Sequence, residues 1–148
     1  MHCFTDPPLA TQDFTQSLQA RLWAATSAPD TDFTAKLVDV APSGYARIVQ
    51  DGIVRARYRL APDNPRPVTP GAVEAYVIEM GATSNIFLAG HRLRVEISSS
   101  NFPRFDRNPN TGHPLGQDSE LRPATQTIFH DAEHPSHILL PVIPRPAS

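Results

Sequence analysis

The stretch Arg92-Leu-Arg-Val-Glu-Ile97 decides the fold class, because polar and apolar residues alternate along its whole length. A period of two places the polar and the apolar side chains on opposite faces of a β-strand. The 16 prolines among 148 residues also exclude a helical bundle, because proline interrupts helix interiors. A similar but less sharp alternation, or an enrichment in β-branched and aromatic residues, predicts further strands at 18–24, 33–40, 53–59, 73–80, 125–131 and 136–143.

Turn-forming residues separate these strands, and no linker rich in glycine and serine interrupts them. Asp51-Gly52 lies between two β-rich stretches, which is typical of a two-residue hairpin. A short helical turn is predicted around residues 82–87. About eight strands at short spacing in one unit predict an all-β fold, a β-sandwich or jelly roll, with residues 1–148 forming a single domain.

Composition and charge exclude several classes of partner. The net charge of −2 offers no basic field for nucleic acid. No stretch approaches the 18 or so apolar residues of a membrane helix, so no membrane partner is expected. Cys3 is the one cysteine, which allows no internal disulfide and agrees with a reducing compartment. A cytoplasmic location is therefore predicted.

The motifs of serine hydrolysis and of phosphate binding are missing from the sequence. A nucleophile elbow reads G-x-S-x-G, and the only glycines at that spacing are Gly112 and Gly116, with Pro114 between them. No G-x-x-x-x-G-K or G-x-G-x-x-G motif occurs. The sequence therefore predicts no catalytic residue and no cofactor.

Two groups of residues resemble metal ligands but lack the required setting. His130-Asp-Ala-Glu-His134 spells H-x-x-E-H, a zinc pattern that works only on a helix, and Pro135 disfavours a helical conformation at His134. A polar turn is predicted there instead. Asp30 and Asp32 supply too few ligands for calcium and are predicted to bond nearby amides in a turn. No metal site is predicted.

Three arginines recur at every second position. Arg55, Arg57 and Arg59 are predicted to project from one face of a strand, with Val54, Ala56 and Tyr58 on the other. Two interpretations remain open. The face is either solvated with scattered ion pairs or a polar docking surface, since guanidinium suits planar, bidentate pairing.

Four collinear blocks carry a family resemblance, at residues 30–40, 51–59, 90–112 and 132–138. The third block includes Asn101-Phe-Pro-Arg-Phe-Asp-Arg-Asn108. Together the blocks resemble the C-terminal domain of the cocaine-esterase and Xaa-Pro dipeptidyl-peptidase group of serine hydrolases. The similarity runs from about Phe4 to Arg145.

The resemblance implies a non-catalytic module with a jelly-roll-like, galactose-binding-like β-sandwich fold. In that family an α/β-hydrolase domain carries the Ser-His-Asp triad, a helical cap shapes the acyl pocket, and neither domain is present here. The module is then expected to act by domain packing or oligomerisation. Its partner would be an α/β-hydrolase catalytic domain, in cis or separately encoded, or a second copy in a homo-oligomer. The implied contact residues are Phe102, Arg104, Phe105, Asp106 and Arg107.

Two alternatives remain open. Esterase activity of the chain itself would need a nucleophile that the sequence does not show. A carbohydrate-binding module would use exposed aromatic residues, for which the sequence offers Trp23, Tyr45, Tyr58 and Tyr76 beside seven phenylalanines.

Overall fold

The computed structural model describes residues 2–5, 11–114 and 116–143. Within these ranges no helix is long and apolar enough to cross a membrane. The described elements, in chain order, are β1 (His2–Thr5), β2 (Gln12–Thr26), β3 (Asp32–Val40), β4 (Ala46–Arg55), a 3-10 helix (Ala56–Tyr58), β5 (Glu74–Phe87), β6 (Arg92–Ser98), β7 (Gln126–Phe129), β8 (His137–Leu139) and β9 (Val142–Ile143).

The strands form two antiparallel sheets, which confirms the predicted β-sandwich. One sheet has the order β1-β6-β3-β4. The other is centred on the long strand β2, which pairs with β5 on one side and with β7, β8 and β9 in succession on the other. The predicted strand at 125–131 is shorter and corresponds to β7, and the predicted strand at 136–143 is divided near Pro141 into β8 and β9.

The core lies between the sheets and follows from the alternation. In β2 the buried residues Leu18, Ala20, Leu22 and Ala24 occupy every second position, and β5 repeats the pattern. Aromatic rings fill one part of the core, where Phe33 and Tyr76 lie 4.7 Å apart between ring centroids. The principal buried hydrophobic side chains are Phe14, Leu18, Leu22, Phe33, Leu37, Tyr76, Ile78, Met80, Phe87 and Ile97.

Two local predictions are wrong. Asp51-Gly52 forms no hairpin, because β4 runs straight through both residues and pairs with β3 along its length. Gly52 instead allows close approach between the sheets: a Cβ at this position would overlap the carbonyl oxygen of Glu79 in β5. The predicted helical turn at 82–87 is also absent, because those residues continue β5 in register with β2.

Candidate functional site

The three arginines Arg55, Arg57 and Arg59 do not share a strand face. β4 ends at Arg55, and residues 56–58 form the 3-10 helix, so the predicted strand over 53–59 is cut short. Their side chains are only 14%, 12% and 7% exposed. The interpretation as a solvated face is therefore wrong, because all three guanidinium groups turn towards partners within the chain.

Each arginine has an acidic partner. Arg55 binds Asp32 in bidentate fashion, with Nε–Oδ1 at 2.8 Å and Nη2–Oδ2 at 3.0 Å. The hydrogen bond to Asp32 raises the pKa of the Arg55 guanidinium. Arg57 donates from Nε to Asp30 Oδ2 at 2.7 Å and from its backbone N to Oδ1 at 3.0 Å. Arg59 pairs with Glu74 at 3.0 Å.

Asp30 and Asp32 are fully buried, at 0% and 1% exposure. The predicted bonding to nearby amides of a turn is wrong, because the backbone amide that Asp30 accepts from belongs to Arg57, 27 residues away, and the main partners of both aspartates are guanidinium groups. Asn108 completes the group by donating from Nδ2 to Asp30 Oδ2 at 3.0 Å and to Asp32 Oδ1 at 2.9 Å. We call Asp30, Asp32, Arg55, Arg57 and Asn108 the charged anchor. Buried charges persist only when paired and hydrogen-bonded, and this anchor satisfies both conditions.

The charged anchor holds the irregular segment that follows β6, residues 99–114, which we call the anchored loop. Arg55 reaches Asp106 at 3.5 Å, and Arg57 donates to the backbone oxygen of His113 at 3.1 Å. Farther along β4, Asp51 accepts hydrogen bonds from Asn101 and Arg104. The loop is therefore fixed to the four-stranded sheet at several separated points.

The predicted contact residues of the anchored loop lie on its outside. Phe102 is 59% exposed, and the Arg107 guanidinium lies 4.7 Å from its ring centroid. Arg104 sits 5.6 Å from the ring centroid of Phe105, which is partly buried. The Asp106 side chain is 77% exposed. The segment 102–107 thus presents one exposed aromatic ring among charged groups.

The H-x-x-E-H stretch forms the predicted polar turn between β7 and β8. Residues 131–134 are bends. Asp131 Oδ1 accepts hydrogen bonds from the backbone N–H groups of Glu133 and His134, and the bond from His134 is the main reason that the pKa of Asp131 is lowered. The His134 ring packs against Trp23, with 5.2 Å between centroids.

A second group, at His113, Asp118 and Glu120, was not predicted. Its ligand atoms lie within 4.8 Å of one another. Asp118 already accepts hydrogen bonds from the Thr111 hydroxyl, from His113 and from the Glu120 backbone, and the Thr111 bond is the largest cause of its lowered pKa. These bonds account for the grouping without an ion. Only the intervals of five and two residues could have suggested it in sequence.

A cavity of about 250 Å³ between the two sheets is the other feature that sequence reasoning missed. Periodicity predicts which face of a strand is buried, but not whether the facing side chains fill the space. Polar residues at the cavity are Arg21, His130, Ser136 and His137. Its apolar walls are Ala20, Leu22, Leu37, Leu93, Val95, Ile97, Ile138 and Leu140.

The aromatic residues considered for carbohydrate binding are dispersed. Tyr76 is 1% exposed and belongs to the core, so it is not available to a sugar site. Trp23 packs edge-on against His134. Tyr45 is exposed beside the turn into β4, whereas Tyr58 lies in the 3-10 helix. Nothing in this arrangement favours a sugar platform.

A two-sheet sandwich whose buried charges fix a surface loop defines a structural β-sandwich domain. Comparison with known families agrees with this class. The chain belongs to the family of X-Pro dipeptidyl-peptidase C-terminal non-catalytic domains, and the match to this family extends over residues 2–139. The family resemblance and the non-catalytic domain assignment are confirmed.

Relatives show the same domain within longer chains. The chain is 50% identical over 143 residues to a cocaine esterase of Rhodococcus sp. (strain MB1 Bresler), which covers 95% of this chain and 24% of that protein. A putative serine esterase of Mycobacterium tuberculosis (strain CDC 1551 / Oshkosh) is 25% identical, and the match covers 93% of this chain and 22% of that protein. The chain thus spans about a quarter of the curated relatives it matches.

Solved structures agree in fold. An aminopeptidase from a marine sediment archaeon, Thaumarchaeota archaeon, superposes with a TM-score of 0.88 at 33% identity, covering 96% of this chain and 25% of that one. An α-amino acid ester hydrolase gives 0.89 at 32% identity, covering 95% and 25%. Both similarities extend over nearly the whole sandwich.

Proposed function

We propose that this domain packs against an α/β-hydrolase catalytic domain in the same polypeptide and uses the outside of the anchored loop as a contact surface. The relatives named as esterases, an aminopeptidase and an ester hydrolase are about four times as long as the matched region, which supports a partner in cis. The observation that carries the proposal is the exposed Phe102 ring on a loop fixed by buried charges.

The anchor matters because it lowers the entropic penalty of association. A loop that is ordered before contact loses little further freedom on binding. Asn108 donates to both buried aspartates, while its own Oδ1 accepts the backbone N–H of Asn110 at 2.9 Å. In this proposal Arg55 and Arg57 hold the contact surface in position. Arg59 instead pairs with Glu74, away from the anchored loop.

The exposed groups suit a contact with an apolar centre and a polar rim. Aromatic residues and arginine are enriched in such contacts. Phe102 would enter an apolar recess on the catalytic domain, and the partly buried Phe105 would add to this apolar centre. Arg104, Asp106 and Arg107 would form the rim, where charges orient the partner more than they add affinity.

The remaining predicted properties belong to the same proposal. The lone Cys3 supports a cytoplasmic location, where thiols stay reduced. A separately encoded catalytic partner and a homo-oligomer are further ways to cover the same surface. Both would appear as association of the chain in trans.

A full-length chimera tests the proposal. In it, this chain replaces the matched region of the Rhodococcus cocaine esterase, and the melting temperature is compared with that of the chain alone. Phe102→Ala should lower the melting temperature of the chimera but change the free energy of unfolding of the isolated chain by less than about 1 kcal/mol. Tyr45→Ala, which removes another exposed aromatic ring, is the matched control and should affect neither. Equal effects of Phe102→Ala in the two settings would refute the contact.

A further inference from the structure

We infer that the cavity between the sheets is a second docking site, which receives apolar side chains from the part of the hydrolase polypeptide outside this chain. This inference rests on the proposed function, because it needs the longer polypeptide. It concerns a different surface from the anchored loop and a different kind of contact.

The cavity is lined by both sheets and is partly open to solvent, so side chains from outside this domain can reach it. A cavity of about 250 Å³ exceeds the roughly 150 Å³ of an apolar void that accommodates a benzene ring. The space is therefore large enough for an aromatic side chain or for more than one aliphatic side chain.

The walls of the cavity are largely aliphatic. Leu22 and Leu37 face it from the two opposite sheets, and Val95 and Ile97 extend it along β6. Water in such a space finds few hydrogen-bond partners, so an apolar occupant is favoured over solvent.

The polar residues at the rim of the cavity each have at least one partner within the chain. Ser136 Oγ accepts the backbone N–H of Trp23 at 2.8 Å and bonds the backbone oxygen of Phe129. His137 Nδ1 lies 2.7 Å from the backbone oxygen of Pro135, and Arg21 donates to Gln19 at 3.0 Å. His130 also has an interaction partner. A small polar ligand needs precisely placed free groups to orient it, whereas an apolar side chain needs none.

The relatives contain a long stretch of polypeptide that could supply an occupant for the cavity. This chain covers 24% and 25% of the relatives described above, so about three quarters of each relative lies outside the sandwich. An apolar segment of that remainder is the occupant to which these observations point. A second copy of this chain and a free small molecule are the competing occupants.

Filling the cavity tests the inference. Ala20→Leu adds three carbon atoms at a wall of the cavity. In the isolated chain it should leave the melting temperature unchanged or raise it by about 3 °C. In the chimera described above it should lower the melting temperature, because the new side chain competes with the docked segment. Ala24→Leu is the control: Ala24 is fully buried on the same face of β2 but does not line the cavity, so both proteins should be destabilised.

Benzene is the second probe, and it needs no variant. It should stabilise the isolated chain against heat and have no effect on the chimera, whose cavity is already occupied. Protection of both proteins, or of neither, would overturn the inference. So would a dimer of the isolated chain that Ala20→Leu dissociates, because the occupant would then be a second copy. A loss of the Phe102→Ala effect in the chimera would refute the proposed function alone, since the two surfaces are tested by separate variants.

Discussion

The charged anchor and the cavity between the sheets are opposite kinds of buried region. In the anchor, Asp30 and Asp32 are satisfied by Arg55, Arg57 and Asn108, all from the same chain. In the cavity, aliphatic walls from both sheets leave about 250 Å³ unfilled. A buried charge without its partner is severely destabilising, whereas an apolar void costs less and can be filled on association. We infer that the chain pairs the charges of the anchor by itself, whereas a partner fills the cavity.

Removal of one carboxylate should break the anchor and give the largest effect. Asp30→Ala leaves the Arg57 side chain buried without its acidic partner, so the free energy of unfolding should fall by about 3–5 kcal/mol. Urea denaturation of the isolated chain measures this. Asp63→Ala, at an exposed carboxylate in the loop before β5, is the control and should stay within about 0.5 kcal/mol. A small effect at Asp30 would mean that the anchor does not hold the fold.

The packing between the sheets is tight at Gly52 and loose at the cavity. Gly52→Ala places a methyl group on the Glu79 carbonyl and should lower the free energy of unfolding by about 3 kcal/mol. Gly44→Ala should cost less, about 1–2 kcal/mol, because its φ of +88° is strained for alanine although nothing lies nearby. If Gly52→Ala lowered the free energy of unfolding no more than Ala20→Leu does at the cavity wall, the packing would not differ between the two points.

Most of the strands were predictable, because the alternation of polar and apolar residues is a property of the local sequence. The predicted strand Arg92–Ile97 forms most of β6, and every second residue from Leu18 to Ala24 lies on the inner face of β2. Asp51-Gly52 misled because glycine serves a turn and a close approach equally well. Only the neighbouring strand decides between them.

The candidate site was predictable only in part. Phe102 and its neighbours were expected to be contact residues from the family resemblance, and the structure exposes the ring without testing the contact. The partners of Arg55 and Arg57 could not be derived, because they depend on the register of β3 against β4 and on a loop whose Asn108 lies 78 and 76 residues after the two aspartates. The cavity depends on three-dimensional packing that one sequence does not report.

A milder change to the anchor separates loop order from the stability of the sandwich. Asn108→Ala removes the amide that bridges the two aspartates, and the free energy of unfolding should fall by about 1–3 kcal/mol. Limited proteolysis should at the same time cut the anchored loop faster than it does in the unmodified chain. Asn64→Ala, at an exposed asparagine, should change neither quantity. Unchanged proteolysis of Asn108→Ala would show that the loop is ordered by other contacts.

The smallest effect concerns a buried hydroxyl beside the anchor. Burial raises the pKa of Tyr76 to about 12, and among the described residues its hydroxyl has no hydrogen-bond partner. Because the folded pKa exceeds the ordinary value near 10, its contribution to stability is complete below pH 10 and is lost as the pH rises towards 12. Tyr76→Phe should therefore change the free energy of unfolding at pH 7 by less than about 1 kcal/mol and weaken its alkaline decline.

Absorbance titration of the tyrosines checks this directly. The unmodified chain should show a late ionisation phase from Tyr76, and this phase should disappear in Tyr76→Phe. A late phase that persists in the variant would assign it to another tyrosine.

Amide hydrogen exchange in the isolated chain and in the chimera tests the central claim most directly. The account predicts that the chimera gains protection in two separate places, the anchored loop and the strands β6 and β8 that border the cavity. The backbone amides of Ser43 and Gly44, in the turn before β4, should exchange equally in both proteins. Equal exchange at the anchored loop and at the cavity in the two proteins would contradict the claim that this domain works by packing against the rest of a hydrolase.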